Sequence, residues 1–220
     1  MSELVKVRHY QAIDREAVFR IAADTAFFGE PVEIFLEDRR VFCDAFVRYY
    51  TDFEPEHAWV ACVDGLVVGY LTGSVDTATQ RKQWITKVLP GVAWKALKRD
   101  YQVGKKTWNY TKAMVSGLYH QEYTHVDQQE FPAHLHINLD APARGRGLGL
   151  GLMEAYLEQL RQLRVPGVHL NTTSVNEAAC RLYEKIGFRL LDGRPTQVWS
   201  HLLDRPVENR NYGLKLKGDL

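Results

Sequence analysis

The chain has 220 residues, of which 45% are hydrophobic and 11% aromatic, and a formal net charge of +1. That content supports one substantial core and excludes a disordered chain, and the near-neutral balance gives no global field to draw it to nucleic acid or membrane. Cys43, Cys62 and Cys180 form no CxxC pair, which predicts buried thiols in a cytoplasmic, reducing setting, and no apolar run reaches about 18 residues, so neither a signal peptide nor a membrane span is expected.

Taken in order, residues 4–10 alternate weakly as a first strand. Asp14 is placed to cap a helix with the stripe Val18, Ile21 and Ala22. Phe27-Phe28-Gly29 marks a break. Pro31 fits the first turn of a second helix reaching about Tyr50, with Ile34, Phe35, Val41, Phe42, Ala45, Phe46 and Tyr49 as its apolar positions. Residues 58–71 make a hairpin, AWVACV and LVVGYL, joined at Asp64-Gly65. Trp59 and Tyr70 read as sheet packing.

The interval from Thr72 to Phe131 is helical over 77–89, 92–100 and about 108–121, with breaks near Pro90-Gly91 and Val103-Gly104. It is rich in lysine and aromatic residues, among them Trp84, Trp94, Tyr101, Trp108 and Tyr110. After it comes the stretch His134 to Leu163. Its first part is a strand, with Leu135, Ile137 and Leu139 on one side and His134, His136 and Asn138 on the other. Gly145, Gly147 and Gly149 follow in a basic loop. Then a helical ladder begins: Leu148, Leu152, Tyr156 and Leu160, with Met153 and Leu163 beside it. Val165-Pro166-Gly167 is a turn and Val168 to Thr172 a fifth strand. Ser174 or Asn176 caps a helix that ends before Gly187. Phe188 to Leu191 starts a sixth strand, Asp192 to Pro195 a turn, and Thr196 to Leu203 a final strand. The polar tail from Asp204 is expected to pack loosely.

A glycine-rich turn between strand and helix brings free N–H groups and the positive end of a helix dipole to one place. Glycines let a phosphate approach that backbone, and Arg144 and Arg146 add charge. A diphosphate is the expected ligand. The triphosphatase loop GxxxxGK[ST] is absent, and the spacing GxGxxG fails because position 152 is Leu.

The spacing Arg144-x-x-Gly147-x-Gly149 resembles the acyl-CoA pyrophosphate loop of the GCN5-related N-acetyltransferase (GNAT) superfamily. A second block, Asn176-Glu177-Ala178-Ala179-Cys180-Arg181-Leu182-Tyr183-Glu184-Lys185-Ile186-Gly187-Phe188, resembles the same superfamily in the right order. The likeness extends over residues 1–75 and 130–205 and is specific in 134–188. The strand HLHINLD is also similar to the acetyltransferase-like domain attached to some O-GlcNAc hydrolases.

The resemblance implies an α/β GNAT fold: a central, mixed, mostly antiparallel sheet of about seven strands flanked by helices. Residues 1–220 would form a single domain, with residues 73–130 as a helical insertion between strands three and four. It implies an acyltransferase that uses acetyl-CoA and acts on the primary amine of a small molecule or polypeptide. The cofactor set would be Ile137, Asn138, Leu139, Arg144, Gly145, Arg146, Gly147, Leu148, Gly149, Asn176, Ala179 and Tyr183. Of these, Leu139 would sit at the carbonyl-polarising position, Asn176 on the pantetheine arm and Ala179 where the cofactor passes closely. Tyr183 matches the tyrosine that protonates the leaving thiolate.

Many relatives carry a glutamate base on strand four. Here the outward positions hold His134, His136 and Asn138, so His134 and His136 are the candidate bases. They could equally be structural or bind substrate. Two histidines at i and i+2 beside Asp140 lack a zinc spacing, and no metal is expected. His120, His125 and Asp127, at the end of the insertion, could approach the same cavity, which the sequence alone does not show. Glu30, Glu33, Glu37 and Asp38 fall where the acceptor often borders, either attracting an amine or forming a solvated face. The insertion has three readings: a wall of the acceptor pocket, a homodimer contact or a structural elaboration. The competing function is an acetyl-CoA-binding or sensor module without catalysis. No nucleic-acid or membrane partner is expected.

Overall fold

The computed structural model describes residues 4–216. Strand β1 (Val5–His9) runs antiparallel to β2 (Ala58–Val63). The Asp64-Gly65 turn has both residues at positive φ, 48° and 83°, the geometry a two-residue hairpin prefers. It returns the chain as β3 (Leu66–Ser74), which pairs antiparallel with β4 (Ala133–Leu139). Beyond β5 (Gly167–Thr173) the chain makes β6 (Arg189–Thr196) and β7 (Val207–Lys215). The sheet has seven strands in the order β1-β2-β3-β4-β5-β7-β6. The mixed, mostly antiparallel GNAT-type sheet expected from the sequence is therefore present, as is the helical insertion between β3 and β4.

The parallel pair β4–β5 positions the site. It is in register at Ala133↔Val168 and His134↔His169 and no further. From Leu135 to Leu139 the edge of β4 towards β5 has parted from its neighbour, as expected of this strand's end.

Helix α1 (Arg15–Asp24) packs Val18, Ile21 and Ala22 against Val60, Cys62 and Tyr70 on one face of the sheet. On the same side lie α2 (Arg39–Phe42), a π-helical turn at Cys43–Val47, and α3 (Arg48–Phe53). Helix α7 (Leu148–Gln162) covers the other face. Its ladder Leu148, Leu152, Met153, Tyr156 and Leu160 is buried with Leu71, Leu135 and Leu170. Helix α8 (Glu177–Ile186) joins that layer through Cys180 and Tyr183. Gly73 is required by this packing, since a Cβ there would lie 2.3 Å from the Tyr156 hydroxyl. That hydroxyl donates to the carbonyls of Ser74 and His134, 3.2 and 3.0 Å away.

Several local expectations are corrected. Asp14 does not cap α1 by its side chain; its carboxylate takes the Arg8 guanidinium at 2.6 Å and the Gln11 N–H at 2.8 Å. The second helix begins at Arg39, after a short 3-10 turn at Val32–Ile34. Pro90 does not break the insertion. Helix α4 (Thr77–Gln83) continues through a π turn at Trp84–Val88 into α5 (Leu89–Leu97). There the Leu89 N–H reaches back to the Trp84 carbonyl, and the wider turn carries the chain past a residue with no N–H to give. Helix α6 (Lys105–Tyr119) follows the expected break at Gly104. Leu163 lies past the end of α7 and is exposed.

The largest departure is at the C-terminal side. Asp192 to Pro195 is not a turn but the body of β6, bulged between Leu190 and Asp192. Thr196 to Leu203 is not a strand beyond its first residue; Trp199, Leu202 and Leu203 pack instead against the Phe27–Phe35 cluster. The polar tail supplies β7, inserted between β5 and β6. Tyr212 and Asn211 are each 1% exposed there, and the Asn211 amide donates to Asn171 at 2.9 Å.

Candidate active site

Two recesses meet at the parted half of β4. The first is the glycine loop. Gly145 and Gly147 have φ of 74° and 79° and no atom within 4 Å of where a Cβ would stand. Gly147 is the residue preceding α7, so the loop ends on the free N–H groups of that helix. Gly149 lies in the helix's first turn with Leu139 and Leu182 close over it; a Cβ there would stand 3.2 and 3.4 Å from their side chains. Leu148 is buried, leaving its backbone as the part that faces the loop. Arg144 donates to the Leu139 carbonyl at 3.2 Å and to the Gly29 carbonyl at 3.1 Å. It therefore clamps the loop to the end of β4. Arg146 is exposed.

Across the opening stands α8. Asn176 precedes it, but neither expected cap forms by side chain. The Ser174 hydroxyl accepts the Glu208 N–H instead, at 3.0 Å. The half-buried Asn176 amide is thus not spent on its own helix. Ala179 is half-buried against the main core, with Ile137 and Leu139. Tyr183 is 6% exposed, with its ring near Phe188 and Tyr212. Burial, helped by Cys180, pushes its phenol well above the ordinary pKa, so it holds its proton at neutral pH.

The second recess lies on the opposite side of β4 and is a cavity of about 350 Å³. Phe42, Ala45, Phe46, Val47 and Tyr50 wall it from α2 to α3; Tyr70 and Thr72 come from β3, and His136 and Asn138 from β4. The insertion closes it with Gln80, Arg81, Trp84 and Tyr110. Of the insertion's three readings, lining a pocket is one the geometry realises. His120, His125 and Asp127 are not among the lining residues. The Asn138 side chain belongs to this cavity, where it donates to the Tyr70 hydroxyl at 2.8 Å, so its backbone is what remains for the glycine-loop side.

A hydrogen-bonded chain runs through the cavity wall. Tyr50 Oη is 2.7 Å from His134 Nε2 and 3.1 Å from His136 Nε2. Thr77 Oγ1 is 2.7 Å from His134 Nδ1 and 2.7 Å from the Pro132 carbonyl. One proton order satisfies every contact. Thr77 donates to Pro132 and accepts Nδ1–H of His134; His134 Nε2 then accepts the Tyr50 hydroxyl, whose oxygen accepts Nε2–H of His136. That order leaves Nδ1 of His136 as its proton-accepting atom. Crowding by the surrounding protein lowers the His136 pKa from the ordinary imidazole value, with His169 adding to it, although the residue is exposed to the cavity and water there offsets part of the effect. The His134 pKa is also held well below the ordinary imidazole value, by burial first and then by the two neighbouring histidines. Both rings are neutral at pH 7.

The acidic residues of the second helical region are occupied elsewhere. Glu33 pairs with Arg39 and Asp38 with Arg40. Glu37 accepts the N–H groups of Gly104, Lys106 and Thr107 together with the Thr107 hydroxyl. Burial pushes the Glu37 carboxyl up, but those bonds outweigh it and hold its pKa at about 2. Asp44 takes Lys95 and the Tyr101 hydroxyl, each at 2.7 Å. Glu37, Asp38 and Asp44 thereby fasten the insertion to residues 37–44, through Gly104 to Thr107, the Gln102 N–H, and Lys95 with Tyr101, and none of these carboxylates lines the cavity.

Sequence reasoning passed over Tyr50, Tyr70, Trp84 and Arg81 as site residues. Tyr50 carried no signal, being one tyrosine in an apolar helix. Arg81 and Trp84, one helical turn apart, could have been read as one face of α4 and its π extension. Among the described residues no group of three or more His, Cys, Asp or Glu is placed to hold a metal ion. No described helix is long and apolar enough to cross a membrane.

This geometry can be set beside known proteins. A model of the acetyltransferase (GNAT) family matches residues 112–188, which include both the loop and the α8 block. The crystal structure of SsHAT is 30% identical over 97% of this chain and 98% of its own, with a TM-score of 0.75. A polyamine N-acetyltransferase of Drosophila melanogaster is 19% identical, with a TM-score of 0.59 over 97% and 100% of the two chains. The putative acetyltransferase yncA of Salmonella typhimurium, solved with acetyl-CoA, is 13% identical with a TM-score of 0.58 over 98% and 95%. No curated protein gives a significant match. The chain belongs to the GCN5-related N-acetyltransferase superfamily.

Proposed function

We propose that the protein is an acetyl-CoA-dependent N-acetyltransferase that passes the acetyl group directly to a primary amine within a ternary complex. The observation that carries this reading is the position of β4 between the two recesses. Leu139 touches the glycine cradle, while His136 and Asn138 line the cavity. One strand's thickness separates a phosphate-shaped backbone from a basic atom in an apolar pocket.

The residues fit the cofactor. Gly145 and Gly147 leave open space where a side chain would otherwise stand, at the start of a 15-residue helix. Backbone N–H groups from Gly145 to Gly149 would take the diphosphate, and Arg146 adds charge beside it. Arg144 holds the cradle in place. The freed edge of β4 from Ile137 to Leu139 and the Asn176 amide would take the pantetheine arm, passing Ala179. Acetyl-CoA supplies the activated acyl group as a thioester.

The chain's own residues do the rest. The amine must be neutral to attack, and an apolar cavity favours the neutral form. His136 accepts the proton that the nitrogen loses as it bonds to the acyl carbon. His134 acts through Tyr50, fixing which His136 nitrogen carries hydrogen. As the carbon–sulfur bond breaks, Tyr183 gives its proton to the departing thiolate. Neutral histidines replace the strand glutamate of many relatives without placing a carboxylate in the cavity. Three free, buried cysteines suit the reducing cytoplasm in which we place the protein.

The test is acetyl-CoA binding by calorimetry, followed by free-thiol release with a pool of primary amines. Binding with acceptor-dependent release is expected, and both Tyr183→Phe and His136→Ala should lower the rate. Absence of binding by folded protein refutes the assignment. Binding with no release from a broad pool would turn the reading to a sensor module.

A further inference from the structure

Resting on the acetyl-transfer reading, we propose that the acceptor is a primary amine with a planar apolar body and a carboxylate, and that Arg81 is the residue that selects the carboxylate. The cavity supplies each part of this description. Its volume of about 350 Å³ suits one small molecule rather than a folded surface. Phe46, Tyr50, Tyr70, Trp84 and Tyr110 give it aromatic walls, and no Asp or Glu is among the lining residues. A polycation entering here would find aromatic faces but no carboxylate, and it would meet an arginine.

Arg81 differs from the other arginines on this side of the sheet. Arg15, Arg20, Arg39, Arg40 and Arg48 each have a carboxylate partner. Among the described residues no ion pair or hydrogen bond engages the Arg81 side chain, although the residue lies on the cavity wall. A guanidinium is planar, permanently charged and suited to bidentate pairing with a carboxylate. Its neighbour on the wall is fixed: the Trp84 indole donates to the Ala45 carbonyl at 2.5 Å, so the ring is a rigid surface. An aromatic body stacked in this cavity would keep its amine toward His136 and its anion toward Arg81. Both Arg81 and Trp84 come from the insertion, so the insertion sets acceptor choice while the rest of the sheet supplies the transfer machinery.

The experiment uses paired probes on the full chain saturated with coenzyme A. Benzylamine is compared with 4-(aminomethyl)benzoate, and phenethylamine with phenylalanine; cadaverine stands for dications. Calorimetry gives Kd, and thiol release with acetyl-CoA gives kcat/KM. The carboxylated member of at least one pair should bind tenfold or more tightly than its partner. Arg81→Gln should bring that ratio to within about threefold, and Arg81→Lys should restore part of it. Three results would overturn the proposal: a preference for the uncarboxylated amines or for cadaverine, an unchanged ratio in Arg81→Gln, or no binding of either carboxylated amine at millimolar concentration. Because binding is read without turnover, the two readings separate. A carboxylate preference lost in Arg81→Gln but without thiol release leaves the ligand assignment standing and removes acetyl transfer.

Discussion

Replacing Tyr50 by Phe removes one oxygen and disconnects two histidines. The hydroxyl bridges His134 Nε2 and His136 Nε2, at 2.7 and 3.1 Å, within a residue that is 4% exposed. His136 opens onto the cavity, so water can replace its lost partner. His134 is 7% exposed and has no such route. One buried acceptor is therefore left unsatisfied, which costs about 1–3 kcal/mol. For a chain of this size each kcal/mol lowers Tm by roughly 2–4 °C, so a drop of several degrees is expected in a thermal melt. Catalysis should suffer separately. With no fixed acceptor for Nε2–H, the two tautomers of His136 interchange and the basic nitrogen is correctly placed for part of the time. Loss of that orientation should lower kcat by about one order of magnitude, well short of the effect of losing a general base outright. Stopped thiol-release assays at saturating acetyl-CoA, run below the melting range of both proteins, separate the two effects. A Tyr50→Phe protein with wild-type kcat across pH 6–9 would refute the relay and leave the tyrosine a packing residue.

The three histidines His134, His136 and His169 all have pKa values lowered by burial as the largest cause. The unfolded chain therefore binds more protons below about pH 6.5, and stability present above that pH is lost as pH falls; His134 alone should contribute about 1.4 kcal/mol per pH unit, read as a falling Tm between pH 7 and 5. Gly73→Ala would force a methyl to within 2.3 Å of the Tyr156 hydroxyl, and should cost about 1–3 kcal/mol in denaturant unfolding; Tyr156→Phe should not rescue it, because the ring carbon Cζ and the His134 carbonyl would still stand 2.4 and 2.7 Å from that methyl. Gly147→Val places a β-branched residue at φ 79° and fills the open cradle; acetyl-CoA binding should weaken at least tenfold by calorimetry while binding of an acceptor amine is retained. Tyr183→Phe should leave acetyl-CoA affinity within about threefold and reduce kcat, and an unchanged kcat would remove the proton donor from the scheme.

What the sequence revealed and what it hid follow one physical division. Local chemistry was legible. Asp64-Gly65, Gly147 and Gly187 announce positive φ, and the ladder Leu148-Leu152-Tyr156-Leu160 announces a buried helical face. The parted end of β4 was readable by family resemblance because the loop motif directly follows it. Burial that depends on a distant partner was not legible. Strand β7 reads as polar in sequence, yet Asn209 and Asn211 donate their side-chain N–H groups to the Glu122 carbonyl and Asn171, contacts that no local window contains. Tyr50 meets His134 across 84 residues, so neither explains the other in sequence. Pro90 misled for another reason: a π turn absorbs it, and a helical periodicity of 3.6 gives no warning of a wider turn.

The place of β7 has a consequence for how the chain is made. Strand β5 needs β7 along its full length, from Gly167↔Lys215 to Thr173↔Asn209, and β6 needs it on the other side. Both emerge from the ribosome before their shared partner exists. The half of the sheet that borders the opening beside β4 must wait with two unpaired strand edges, while the β1–β4 half has every neighbour it needs. Synthesis should therefore pass through an interval in which a nascent chain is half assembled and open to edge-to-edge association. A stop codon just ahead of Val207 would remove few residues, yet it would strand β5 and β6 together and hand the product to chaperones and proteases rather than yield a slightly shorter enzyme.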